Sequence, residues 1–170
     1  MNRRIILSLS AMTALGFVFL PSASVAQLKS LKEQLIGTWS LVSSETVQQN
    51  GTRSPTFGPN AKGMAIFDHG GNYVFSFVGS NLPKFTHNNR TDGTAEENKA
   101  VVQGSLGHFG TYAVNEADSS FTLHIDGSTF PNWAGTEQKR VFTLAGDELK
   151  WITPIASGGG TAELVWRRAK

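Results

Sequence analysis

The chain has 170 residues, no cysteine, and fifteen Lys plus Arg against thirteen Asp plus Glu, a formal net charge of +2. Without cysteine there can be no disulfide, thiol nucleophile, thiolate metal site or iron–sulfur cluster. So small a charge excess, with no basic cluster, argues against a nucleic-acid partner.

Residues 1–26 read as an export signal. Arg3 and Arg4 precede a mostly apolar run from Ile5 to Leu20, and Ser24-Val25-Ala26 offers the small residues that a signal peptidase reads. The run is too short, and too soon followed by Pro21, to be a membrane span, so no integral membrane contact is expected. Cleavage after Ala26 would leave a single domain over residues 27–170 in the periplasm or outside the cell. It would also remove Arg3 and Arg4 and no acid, balancing the remaining charge at thirteen of each sign.

The first element after the signal is a short helix, with Leu28, Leu31, Leu35 and Ile36 on one stripe. Gly37 breaks it and starts a strand in which Trp39, Leu41 and Ser43 share a face. Asn50-Gly51 is a hairpin signal. Lys62 to Asp68 is the next strand. The turn His69-Gly70-Gly71-Asn72 leads to Tyr73–Val78, whose Tyr73, Phe75 and Phe77 point one way. A polar loop from Gly79 to Gly93 is followed by a helix over Thr94–Gln103, with Glu96 and Glu97 where negative charge suits an N-terminus. Strands then recur at Gly107–Val114, Ser120–Asp126, Gln138–Leu144, Glu148–Thr153 and Ala162–Arg168. Short strands in steady succession predict an all-β antiparallel barrel rather than an α/β fold.

No nucleophile elbow, phosphate loop, metalloprotease helix or dinucleotide fingerprint occurs, and neither a metal site nor a cofactor is expected. The glycine run Ser157–Gly160 precedes a strand, as a hairpin tip does. His69 and His87 fall in a turn and a loop, and His108 and His124 on strands. Parity leaves two placements for His124. If Phe121, Leu123 and Ile125 face the core it points to solvent; in a barrel with a polar-lined cavity it points inward. Tyr112 is a ring whose hydroxyl needs a partner. Arg140 shares a face with Phe142 and Leu144. A charge there calls for a carboxylate or carbonyl partner, or for an anionic ligand.

Several runs carry a resemblance. They are Gly37-x-Trp39, Gly110-Thr111-Tyr112, His124, Pro131-Asn132-Trp133-x-Gly135-Thr136-x-Gln138-x-Arg140 and Trp166-x-Arg168. Together, over roughly Leu35 to Arg168, the chain resembles the bacterial and fungal lipocalin-like domain family. The resemblance implies an up-and-down β-barrel around a ligand and favours a cavity or rim position for His124. It also implies that a late arginine, Arg168 or its neighbour Arg167, stacks on Trp39.

The expected function is therefore binding of a small hydrophobic or amphipathic ligand inside the barrel. Phe75, Phe77, Tyr112, His124, Trp133, Arg140 and Trp151 are the candidate lining residues. Two alternatives are a cofactor-independent isomerase or cyclase with His124 and Tyr112 as an acid–base pair, and an envelope protein whose barrel is filled by its own side chains. The ligand's identity and the oligomeric state are not encoded in any motif.

Overall fold

The computed structural model describes residues 29–170, so the expected export signal and Leu28 lie outside the described residues. The first described element is α1 (Leu31–Leu35). Ser30 Oγ accepts from Glu33 N at 3.1 Å while the Glu33 carboxylate accepts from Ser30 N at 2.9 Å, a reciprocal cap on an otherwise marginal helix. Leu31 N and Lys32 N donate to the Glu116 carboxylate at 2.8 and 3.0 Å, fastening α1 across one end of the molecule.

Nine strands follow: β1 (Gly37–Val47), β2 (Arg53–Pro55), β3 (Lys62–Phe67), β4 (Asn72–Val78), β5 (Ser105–Asn115), β6 (Ser120–Ser128), β7 (Glu137–Ala145), β8 (Glu148–Thr153) and β9 (Thr161–Arg168). Helix α2 (Ala95–Gly104) lies between β4 and β5, and a 3-10 turn, Pro131–Trp133, between β6 and β7. From β3 to β9 each strand pairs antiparallel with the next, and β1 pairs with both β3 and β9. Eight strands thus close an up-and-down barrel, as the alternation predicts. The ninth, β2, extends from the far end of β1; Arg53 holds it there by reaching Glu45 and Glu163, each at 2.8 Å.

Trp39 and Arg168 join the first and last strands. Their Cα atoms are register partners, and the Arg168 guanidinium lies 4.1 Å from the Trp39 ring centroid. Trp39 Nε1 donates to the Leu35 carbonyl at 2.8 Å, and Arg168 donates to the Ile36 and Gln34 carbonyls at 3.0 and 2.5 Å. Arg168 therefore satisfies the C-terminal carbonyls of α1, while Arg167 points outward and is exposed. Gly37 has φ +132°, and a side chain there would press on the Arg168 guanidinium.

One parity expectation is corrected. A bulge between Leu41 and Ser43 turns Val42 outward, half exposed, so Ser44 and Thr46 rather than Ser43 continue the inner face begun by Trp39. A second register shift occurs at Phe109–Gly110. Gly110 faces the interior so closely under β6 that a Cβ would collide with the His124 carbonyl.

The barrel has two unlike ends. At the closed end, under α1, Phe67 makes edge-on contacts with Phe75, Tyr112, Phe121 and Trp151. At the open end the rim is formed by α2, Thr129–Thr136 and Pro154–Gly160. Helix α2 has its own reciprocal cap from Thr94 and Glu97, and Glu97 Oε1 also accepts from Thr86 N and Oγ1, pinning the preceding loop. No described helix is long and apolar enough to cross a membrane.

Candidate functional site

The interior changes character along the barrel axis. Near the closed end its lining is mostly apolar, and Tyr112 there donates its hydroxyl to the Asp68 carbonyl at 2.8 Å. Burial, with the Asp68 charge adding to it, pushes that phenol up to about 12. Nearer the open end, alternation brings three polar side chains inward. On β4 Tyr73 shares a face with Phe75 and Phe77. On β5 His108 lies four residues from Tyr112 and on its face. On β7 Arg140 lies two residues from Phe142.

Arg140 is 2 % exposed. Its Nη2 donates to Gln138 Oε1 at 2.7 Å and its Nη1 to Thr153 Oγ1; its Nε, also buried, has no partner. Among the described residues no carboxylate is paired with it, and both hydrogen-bond acceptors are neutral. Burial lowers its pKa to about 10, partly offset by Tyr73, so the guanidinium stays charged at neutral pH. His108 is also buried, with Nδ1 3.1 Å from the Tyr73 hydroxyl and its ring edge-on to Phe75 and Trp133. Burial, with Arg140 second, lowers His108 to about 3, so the imidazole is neutral. The Tyr73 phenol is pushed up, chiefly by burial.

Trp133 covers this cluster. Its ring centroid is 5.5 Å from that of His108 and 5.9 Å from the Arg140 guanidinium carbon. The turn that carries it is stapled to β6 by Gly135 N donating to the Ile125 carbonyl at 2.7 Å. Below Trp133 lies a cavity of about 30 Å³, bordered by Phe75, Phe77, His108, Arg140, Trp151 and Thr153 among others. That is room for about one water. The group can hold a polar or anionic atom of a ligand against Arg140 and an aromatic ring among the apolar side chains; at this size the rest of such a ligand must displace rim residues.

Of the seven sequence-predicted residues, Phe75, Phe77, Trp133, Arg140 and Trp151 border this one cavity. Tyr112 is inside but at the closed end. His124 is on the outer face, half exposed, 3.6 Å from an Asp126 carboxylate oxygen and 3.9 Å from one of Glu137. The inward expectation for His124 fails because Phe121, Leu123 and Ile125, each fully buried, occupy the inner face of β6. With His124 outside and Tyr112 inside, the acid–base pair considered for an isomerase or cyclase does not form. His108, Tyr73 and Thr153 were not among the candidates. The available signal for His108 was its even spacing, two residues from Gly110 and four from Tyr112.

The family model described as "Lipocalin-like domain" matches residues 36–169. The chain belongs to the lipocalin-like domain family. A curated relative is the 4'-hydroxy-3'-methoxypropiophenone carrier protein ppsC of Aspergillus oryzae, 31% identical over 86 residues that cover 45% of this chain and 78% of the relative. Among solved structures, a point mutant of the fluorescent protein UnaG matches with 12% identity and a TM-score of 0.39, over 81% of this chain and 98% of that one. A likeness that slight adds nothing to the argument for this lipocalin-like domain.

Proposed function

We propose that this protein is an exported carrier that holds a small, mostly apolar molecule at the open end of its barrel. The observation that carries the reading is the placement of Arg140 and His108 among Phe75, Phe77, Trp133 and Trp151, around a cavity under a half-buried tryptophan. Apolar walls with a few convergent polar groups are what small-molecule sites consist of. The name of the Aspergillus oryzae relative supports it too: that protein is named as carrier of an aromatic ketone bearing hydroxyl and methoxy groups. A ligand of this kind offers a flat ring to Phe75 and Trp151, which are themselves stacked at 5.0 Å, and oxygens to the polar cluster.

The test is native mass spectrometry of the protein purified from its own host, compared with the denatured protein. A mass excess of a small molecule that disappears on denaturation is the expected result. Export is tested separately: N-terminal sequencing should begin at Gln27, and a chain that retains Met1 would refute it.

A second reading rests on the cavity's volume of about 30 Å³: the barrel is filled by its own side chains and carries nothing. Titration with 4'-hydroxy-3'-methoxypropiophenone, followed by tryptophan fluorescence, separates the two. Saturable quenching supports the carrier, and its absence together with an unchanged native mass supports the filled barrel.

A further inference from the structure

The barrel wall is incomplete beside Arg140. The β7–β8 pairing ends at Phe142–Trp151. Continuing its register sets Val141 across from Ile152 and Arg140 across from Thr153, but neither pair is joined by the ladder. The hydrogen bond from Arg140 Nη1 to Thr153 Oγ1 bridges this seam instead. Outside it lies a groove of about 350 Å³, large enough for a drug-sized ligand. The groove and the inner cavity share Trp133, Arg140 and Thr153, so these three side chains form the partition between them. Val141, Ile152 and Ile155 beside the seam are 51%, 43% and 81% exposed, an apolar approach.

We propose that Arg140 is the recognition element for an aromatic anion, a flat ring bearing a carboxylate, a sulfonate or an ionised phenol. The ring lies in the groove along the β7–β8 seam, and the anionic oxygen takes the place of Gln138 on Nη2, the edge of the guanidinium that Nε–H shares. This rests on the carrier reading and moves the ring from the small inner cavity to the groove that shares Trp133, Arg140 and Thr153 with it. Three features support the choice of an anion. A buried cation without a carboxylate is costly unless a ligand completes it. Its Nε–H is buried and unpartnered, so a donor is left over for a second oxygen of a planar acid. The groove's outer charges, Glu137 and Lys139, cancel, which leaves selection by charge to Arg140.

The experiment uses two fluorescent probes with the same rings: anilinonaphthalene sulfonate, an anion, and phenylnaphthylamine, which lacks the sulfonate. The wild-type protein should bind the sulfonate about tenfold or more tightly than the amine, the scale of a hydrogen bond to a charged group. Arg140→Met should abolish that preference while leaving the amine bound. If neither probe binds wild type, the carrier reading itself falls and this inference with it. If both bind equally, the carrier stands and the anion site is overturned. It is also overturned if Arg140→Met keeps the preference, which would point to Lys139. Should Arg140→Met not fold, the Arg140 Nε–Hε resonance of wild type decides: it should shift with the sulfonate and not with the amine, and an unmoved resonance refutes the proposal.

Discussion

Two arginines mark the two ends of this barrel, and their surroundings are opposite. Arg168, at the closed end, has the face of Trp39 beneath it, two backbone carbonyls accepting from it and the Asp147 carboxylate 3.7 Å away. Arg140, deeper and nearer the open end, has two neutral acceptors, a tryptophan edge of the cavity and an idle Nε–H. The first knits α1, β1 and β9 together. The second is a buried charge whose hydrogen bonding the fold leaves unfinished. A guanidinium can therefore serve closure at one end and recognition at the other, and what separates the roles is how many of its five N–H groups the chain itself satisfies.

The largest expected effect breaks the closed end. Trp39→Ala should cost about 3–5 kcal/mol in denaturant unfolding, the range for truncating a fully buried aromatic. Arg168→Ala should cost less, and most of its cost should vanish in the Trp39→Ala background. Strictly additive losses would show that the stacking contact contributes nothing.

The next effect sharpens the contrast through pH. His108 is held at about 3 in the folded barrel against an ordinary value of 6.5. Between these values the unfolded chain binds a proton that the folded chain does not, so stability rises with pH across that window and is complete above it. As pH falls below 6.5 the His108 contribution should be lost at up to about 1.4 kcal/mol per pH unit. His108→Gln should flatten the slope. The measurement is the wild-type minus variant unfolding free energy from neutral pH down to about pH 4. An unchanged slope would mean that His108 is not buried in its neutral form.

Arg140→Met should leave the ligand-free protein as stable as wild type or raise its stability by about 1 kcal/mol, because an uncompensated buried charge is replaced by an apolar chain of similar length. Gln138 is only half-buried and can turn to water. A loss of about 3 kcal/mol or more would make Arg140 a structural residue like Arg168 and erase the comparison.

Much of this architecture was legible in the sequence because alternation and turn chemistry are local. Ser120–Asp126 shows its inner face in three apolar residues, and Asn115–Asp118 and Ala145–Asp147 announce their turns. Strand β2 was not legible: its three residues are all exposed, one is proline, and its support comes from Arg53 reaching distant acids. The bulge at Val42 was hidden as well, since a single extra residue inverts parity without any compositional mark. At the site, the inward position of Arg140 followed from Phe142, and His108 could have been read from Tyr112 in the same way. His124 was misplaced because its position in a motif outweighed its strand's own parity.

The smallest expected effect concerns that residue. His124 is half exposed on the outer face of β6, and its neighbours Asp126 and Glu137 are exposed too. Ion pairs of this kind contribute little, since solvent screens them and both side chains lose freedom in forming them. His124→Ala should therefore change stability by no more than about 0.5 kcal/mol. It should also leave binding of both naphthalene probes unaltered, because His124 does not line the groove along the β7–β8 seam. The double variant with Arg140→Met should show additive effects on stability, the two side chains lying on opposite sides of the barrel wall with no shared partner. Coupling beyond about 0.5 kcal/mol would mean that the wall transmits between them. A loss of probe binding in His124→Ala alone would move the binding site away from the β7–β8 seam to the outer face of β6.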